Sequence, residues 1–465
     1  MSSTKSDSIH SVIAAFDPPS NFSGGGKRTF NMLKSLSKIG SSDIFIFCPK
    51  VNFNFQDINI DESNQVSFSI IDFYRSSGNR ILDKILQFGY ILIPFVLKTE
   101  KLILLTDYYV MNQPVSASWF QSFFHKNIRN SLLRESNKRY KAGYSFPART
   151  LERFFQFQEL KNEFYDKLGT SNLVWIDFSY CLNFFNIPVL KSNNRLIYCN
   201  THNLEYRYLE ILANTKKDKQ TRKWLLLQAG LMKKIEIDGF KKCDFVFVCS
   251  TVEKNILEEE FGLTNVRLLP NGVDTDYFKS NLKKRSSKNI LFTGTMKYQA
   301  TRDAVYYFVE KIFPIVKSRI HDCKFIIAGL DAQESFSCYN HREDIVIHDS
   351  PEDIRGCFEE SMIAVVPLLA GGGTRLKILE AAAMELPVVS TSIGAEGLDF
   401  INGEEILISD NPNQFADNII HLLTDIHLYE KVRKSALKKV HLTYSWDKIN
   451  KDLQEFIKND FQYLN

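Results

Sequence analysis

Several large classes of protein are excluded by what this chain lacks. No stretch reaches the ~18–20 uninterrupted apolar residues of a membrane-spanning helix. The nearest, Ile81–Leu97, is broken by Asp83 and Lys84. The first residues, MSSTKSDSIHSV, have no signal-peptide apolar core, so a cytoplasmic location is expected. Eight cysteines occur, but none forms a C-x-x-C pair and none joins His at zinc-ligand spacing. Cys199, Cys243 and Cys249 lie in apolar, strand-like runs and are expected as buried free thiols in a reducing compartment. Charge of one sign is also lacking: 58 basic and 54 acidic residues give a net +4, which does not mark a nucleic-acid binder. There is no internal repeat and no low-complexity tract. Neither G-x-G-x-x-G nor a P-loop occurs, which argues against an ordinary dinucleotide-binding dehydrogenase.

What is present is the balance of a globular protein, 44% hydrophobic and 24% charged. At 465 residues the chain is too long for one core, so two α/β-sized domains are expected. Ile9–Phe16 reads as a strand, Gly24–Gly26 as a flexible loop, Lys27–Ile39 as a helix stopped by Gly40, and Asp43–Cys48 as the next strand. That βαβ start puts its glycines at a strand's C-terminal end, where open parallel sheets bind ligands. From about Arg80 to Tyr165 the pattern turns irregular, aromatic and basic. His125–Arg153 carries Lys126, Arg129, Arg134, Lys138, Arg139, Lys141, Arg149 and Arg153 against Glu135 and Glu152. This is either a solvated helix face or a surface for anionic lipid or a phosphate-bearing acceptor.

Leu173–Phe178 and Arg195–Cys199 are further strands. The second runs into Asn200-Thr201-His202-Asn203-Leu204-Glu205, so His202 follows a strand end and opens a helix, as a site residue on an α/β sheet would. Trp224–Phe240 reads as a helix, Asp244–Ser250 as a strand, Asn271-Gly272 as a turn and Lys279–Lys288 as a polar linker. Beyond it, strands at Asn289–Gly294, Lys324–Gly329, Ile345–His348, Met362–Pro367 and Glu405–Ser409 alternate with helices, which predicts a doubly wound parallel sheet. Phe415–Leu423, Tyr429–Leu442 and Trp446–Phe461 close the chain as helices.

The most informative stretch is Val365–Gly397. Val365–Pro367 ends a strand, Gly371–Gly373 let the backbone approach a ligand, Thr374 is a helix N-cap, and Arg375–Met384 is rich in helix formers. Pro387 stops the helix and Val388–Thr391 is a buried strand. A glycine turn feeding a helix start offers free N–H groups and a partial positive charge, which suits phosphate. Glu380 lies too far along the helix to cap it. Its plain structural use would be an i,i+3 ion pair with Lys377, worth about 0.2–0.5 kcal/mol.

On Pro367, Gly371–Gly373, Glu380-Ala381-Ala382-Ala383 and Pro387-Val388-Val389-Ser390-Thr391, this stretch resembles the donor-sugar segment of the family-4 retaining glycosyltransferases, in particular a subset carrying Gly-Gly-Gly-Thr-Arg. Pro270–Asp274 followed by Tyr277-Phe278 resembles the family's interdomain crossing, and His202-Asn203 its His-Asn element. The resemblance implies an α/β chain of the GT-B fold, two Rossmann-like doubly wound domains facing a cleft. Residues 1–278 would form the acceptor-side domain, with 80–165 an atypical insertion. Residues 279–288 would link it to the nucleotide-sugar domain at 289–440, and a helix in 441–465, anchored by Trp446, would return to the first domain.

The resemblance further implies that Glu380 holds the ribose hydroxyls, and that Gly25, Gly26, Gly294, Gly371, Gly372, Gly373 and Thr374 meet the sugar and diphosphate. His202 would contact the transferred sugar. The chain departs from the family in three places. Gly372 replaces the first family Glu, Thr295 and Ala300 replace the usual diphosphate cations, and Glu385 stands where Gly is common. The diphosphate contact therefore moves to Arg375, whose fork grips phosphate bidentately, and to Lys297. Asp274-Thr275-Asp276 reads as a turn, and neither metal nor cofactor is expected beyond the nucleotide-sugar co-substrate.

The reading is thus a retaining, metal-independent glycosyltransferase with His202 and Arg375 as catalytic residues. It would move a sugar from a nucleotide diphosphate sugar to a glycan or lipid-linked glycan in surface-polysaccharide biosynthesis. Its other expected partner is an anionic membrane surface, with no nucleic acid. A GT-B nucleotide-sugar epimerase or hydrolase, and a non-catalytic nucleotide-sugar-binding protein, stay open as alternatives.

Overall fold

The computed structural model describes residues 9–15, 24–46, 66–70, 162–191, 194–281, 287–296, 298–370 and 375–462. The basic stretch 125–153 lies outside the described residues, as do Lys297, Gly371–Gly373 and Thr374. The chain divides into two units, Met1–Val248 with Ile256–Arg267 and Phe456–Asn465, and Cys249–Asn255 with Leu268–Glu455.

In the first unit the apolar runs expected as strands pair into one sheet. Its members are β1 (Ile9–Ala15), β2 (Gly40–Ile46), β3 (Val66–Ile70), β4 (Leu173–Asp177), β5 (Leu196–Asn200), β6 (Phe245–Val248) and β7 (Val266–Leu268). Their order is β3-β2-β1-β4-β5-β6-β7, and the pairs from β3 through β6 are parallel. The order reverses between β1 and β4, which makes that pair the topological switch point. β4 and β5 are buried at every residue, as continuous apolar strands covered on both faces must be. Helices α1 (Gly24–Ser37), α2 (Glu205–Asn214) and α3 (Lys219–Phe240) belong to this unit.

Two expectations are corrected here. Gly24–Gly26 is not a loop but the first turn of α1, where N–H groups have no intrahelical acceptor in any case. Gly40 does not stop the helix; it begins β2, and a Cβ there would sit 1.9 Å from the Ile9 carbonyl oxygen. The pairing of β1 with β2 therefore requires a residue with no side chain.

The second unit repeats the plan. Its strands are β8 (Ile290–Thr293), β9 (Phe325–Gly329), β10 (Ile345–Asp349), β11 (Ile363–Val366), β12 (Val388–Ser390) and β13 (Leu407–Ile408). They run parallel in the order β10-β9-β8-β11-β12-β13, with the switch point between β8 and β11. Its helices include α4 (Gln299–Tyr307), α5 (Leu376–Ala383), α6 (Pro412–Thr424) and α7 (Ile426–Lys439). The helical stretch 299–319 is not one continuous α-helix but α4, a π-helical turn at Phe308–Ile312 and a short helix Phe313–Arg319. Pro314 explains the break, because it has no N–H to continue the ladder. Phe308 of that turn is buried, its ring centroid 4.5 Å from that of Phe325.

Helix α5 ends in a Schellman motif: Leu386 N–H donates to Ala381 O at 2.8 Å and Glu385 N–H to Ala382 O at 3.1 Å. Glu385 takes φ 60° there, the left-handed conformation that favours glycine, and its carboxylate pairs with Arg433. The last helix, α8 (Trp446–Gln462), starts in the second unit. Trp446 packs over the Pro270–Asp274 turn, where a Cβ on Gly272 would meet its ring at 2.8 Å. The end of α8 belongs to the first unit, where Asp460 accepts two hydrogen bonds from Arg267, at 2.6 and 2.7 Å, and one from the Tyr198 hydroxyl.

Candidate functional site

At the switch point of the first sheet, the last residues of β4 and β5 and the first turns of α1 share one buried polar network. Asp177 and Asn200 are register partners at the two strand ends. Asp177 Oδ1 accepts from Asn200 Nδ2 at 2.6 Å and meets His202 Nε2 at 3.1 Å. Its Oδ2 accepts from Thr29 Oγ1 at 2.6 Å. Arg28 closes the network, donating through Nε (3.1 Å) and Nη2 (2.6 Å) to Asn200 Oδ1. Asp177 and Arg28 are fully buried, so each needs such partners to stay charged. Burial pushes the Asp177 pKa up, but the His202 charge and the hydrogen bonds from His202, Thr29 and Asn200 outweigh it and leave the pKa below the usual carboxylate value. An ionised Asp177 can only accept, so the network makes His202 Nε2 the donor.

The backbone around His202 is braced. Phe178, directly after β4, has φ 80°, an unfavourable conformation for an aromatic residue and one that marks functional sites. It lays the Phe178 ring flat on the imidazole, with centroids 3.8 Å apart and planes within 10°. Glu236 of α3, fully buried, then ties two loops together. Its Oε1 accepts from Ser179 Oγ at 2.5 Å and Glu205 N–H at 3.0 Å, and its Oε2 from Tyr206 N–H at 3.0 Å. Those amides open α2, so Glu236 caps the helix that begins just after His202.

In the second unit the switch point gathers charge. Lys377, in the first turn of α5, turns back to the end of β8, where Nζ donates to the Thr293 carbonyl and lies 4.3 Å from the centre of the Phe292 ring. A Cβ on Gly294 would come within 3.0 Å of that nitrogen, so Gly294 makes room for Lys377. Arg375 takes the N-cap position of α5. Glu380 lies one turn along the same helix, partly exposed. Burial first, and the Arg375 charge second, lower the Lys377 pKa to about 7, while Glu380 opposes them. Lys377 thus donates to Thr293 rather than forming a surface ion pair.

Of the residues singled out in the sequence, His202 stands in the network of the first unit, and Gly25 and Gly26 lie in the helix turn leading to Arg28 and Thr29. Gly294, Arg375 and Glu380 flank the second switch point. The sequence reading missed Arg28, Thr29, Asp177, Phe178, Asn200, Glu236 and Lys377. For Asp177 and Asn200 a signal existed, since each is a polar residue closing an apolar strand; for Glu236 and Arg28 nothing local distinguishes them from surface charges. Asp274 is committed to its turn, Oδ1 accepting from Asp276 N–H at 3.1 Å and Tyr277 N–H at 2.9 Å. Among the described residues no group of His, Cys, Asp or Glu could hold a metal ion, and no helix is long and apolar enough to cross a membrane.

Two units in series, each a parallel sheet with charged groups at its switch point, invite comparison with known proteins. Residues 287–425 match the family model described as "Glycosyl transferases group 1". This segment covers most of the second unit, including β8 to β13 and α5. An uncharacterized 44.6 kDa protein from the cps region of Klebsiella pneumoniae is 27% identical over 169 residues, 35% of this chain and 44% of that one. An uncharacterized glycosyltransferase of Methanocaldococcus jannaschii is 27% identical over 245 residues, 46% of this chain and 60% of that one. The chain spans about half the length of these two curated relatives. The crystal structure of Anabaena HepE in complex with UDP-glucose superposes with a TM-score of 0.59, at 9% identity, over 97% of this chain and 100% of that one. The fold is GT-B.

Proposed function

We propose that this protein is a retaining glycosyltransferase of the family-4 type, transferring a sugar from a nucleotide diphosphate sugar to a hydroxyl of a glycan or lipid-linked glycan. The observation that carries the reading is the group 1 match over residues 287–425, centred on a switch point holding Arg375, Lys377 and Glu380. Two cations at a helix start suit a diphosphate, and an acid one turn later suits the ribose hydroxyls. The UDP-glucose held by the structural neighbour HepE and the cps-region location of one relative support a sugar nucleotide as donor and polysaccharide assembly as the setting.

In this reading no carboxylate nucleophile is needed. The bond from the anomeric carbon to the diphosphate oxygen breaks, and the acceptor oxygen bonds on the same face. The acceptor proton passes to the departing diphosphate, and no metal takes part. Catalysis rests on placement and on stabilising charge on the leaving group, for which Arg375 and the helix-start amides are assigned. His202, held by Asp177 and Phe178, is assigned to contact with the transferred sugar.

Incubation with candidate nucleotide sugars tests this. Acceptor-dependent release of nucleoside diphosphate, with the donor's anomeric configuration kept in the product, is expected. A new nucleotide sugar formed without acceptor would make it an epimerase, and donor binding without turnover in crude lipid acceptor a binding protein.

An anionic membrane surface is the proposed setting for a lipid-linked acceptor. On α3, Leu226 and Leu227 are 43% and 45% exposed. With Lys219, Arg222 and Lys223 they line a shallow depression of about 320 Å³, an apolar patch rimmed by cations. Flotation with vesicles containing phosphatidylglycerol, but not with phosphatidylcholine alone, is the expected result; equal binding to both would remove this setting.

A further inference from the structure

Lysine side chains at helix surfaces normally run their ammonium out to water. Lys377 does the opposite. Its ammonium, which carries three donors, turns inward to one backbone carbonyl, that of Thr293, and to the face of Phe292. Among the described residues Thr293 O is its one hydrogen-bond acceptor. The nearest charges act in opposite senses, Arg375 repelling and Glu380 attracting. An ammonium turned inward with one acceptor for its three donors keeps donors to offer an anion. The place is the crevice between β8 and β11, where an open parallel sheet takes its ligand. Thr295 follows Gly294, and Lys297 lies outside the described residues.

We propose that Lys377 is a further cation, beside Arg375, that meets the diphosphate of the nucleotide in the second unit, its ammonium passing from the Thr293 carbonyl to a phosphate oxygen as the ligand enters. This rests on the donor-binding reading above and adds a residue and a proton to it. In the ligand-free protein burial and Arg375 hold the Lys377 pKa down to about 7, so near neutral pH a large share of the lysine is uncharged. A diphosphate beside it favours the charged form, which raises that pKa. Binding therefore draws a proton from solvent onto Nζ. The uptake is substantial somewhat above neutral pH and fades in acid, where Lys377 already carries its proton. Glu380, one turn away, is not displaced in this step and remains with the ribose.

Titration calorimetry of the full chain with UDP, GDP and ADP tests this. Two buffers of equal pH but different ionisation enthalpy report the protons exchanged. Wild type is expected to take up a fraction of a proton per bound nucleotide at mildly alkaline pH and almost none at about pH 5.5. Lys377→Met should bind roughly tenfold or more weakly, the order expected for a lost charged hydrogen bond, and without uptake. Lys377→Arg, whose guanidinium stays charged, should recover much of the affinity and still show no uptake. The free nucleoside, which carries no phosphate, should bind wild type and Lys377→Met alike. Equal melting temperatures would show that the variants fold. Unchanged affinity and wild-type uptake in Lys377→Met would overturn the assignment while leaving the donor reading standing. Wild type that binds none of the three nucleotides would overturn both.

Discussion

Asp177 governs the first unit's network because it is the one group that His202, Asn200 and Thr29 all contact. Asparagine at this position has one acceptor oxygen and cannot stay charged, so Asp177→Asn leaves at least one buried donor without its partner. A loss of about 1–3 kcal/mol of stability is expected, and a fall in kcat of roughly a hundredfold or more with KM for the donor little changed. The pH dependence has a definite sign. A carboxylate whose folded pKa is depressed adds stability above its unfolded pKa of about 3.9 and loses it as pH falls through the lower folded value. The gap in unfolding free energy between wild type and Asp177→Asn, measured by urea titration, should be flat from neutral to about pH 5 and narrow in stronger acid. A gap that widened in acid would contradict the ionised assignment. At this scale the sequence was only partly legible. His202 could be picked out from its place after a strand. The network behind it is built from Arg28, Thr29, Asp177 and Asn200, and only the folded sheet brings them together. Lys377 was visible only as a possible i,i+3 partner of Glu380, because its inward turn depends on the end of β8.

At the level of elements, the helices show where local pattern is enough and where packing decides. Helix α5 was readable from its helix formers and from Pro387 beyond it, while its stop depends on Glu385 at φ 60°, a strain held by Arg433. The π turn at Phe308–Ile312 and the helical glycines at the start of α1 were not readable. In the first, apolar periodicity runs on while the hydrogen-bond ladder changes; in the second, three glycines in a row carry no helix-forming side chain. Helix α2 gives the clearest test. Its first amides are capped by Glu236 from another helix rather than by a residue before it. Glu236→Leu removes that acceptor and the Ser179 contact and should cost about 1–3 kcal/mol. Hydrogen exchange at the first turn of α2 should accelerate more than exchange in β5. Uniform acceleration across the first unit, or none, would show that Glu236 does not hold this helix in place. Glu236→Gln, which keeps one oxygen, should lie between the two.

On the scale of the molecule, two sheets with the same reversal of strand order set their charged residues at the same topological place. This much of the fold was legible, because buried parallel strands read as unbroken apolar runs alternating with helices. Of residues 80–165, only those from 162 onward are described; their composition is irregular and basic, without the period that betrays a sheet or a helix. The claim on which the rest depends is that the second unit grips a nucleoside diphosphate and that Glu380 holds its ribose. Thermal unfolding of wild type and Glu380→Ala with and without UDP, GDP, ADP and their sugars measures this most directly. A ligand at about 100 times its dissociation constant adds about 2.7 kcal/mol of stability. Wild type should therefore melt several degrees higher with one nucleotide of the panel, and Glu380→Ala, melting normally alone, should lose that response. A Glu380→Ala protein that shifts as far as wild type would contradict the assignment.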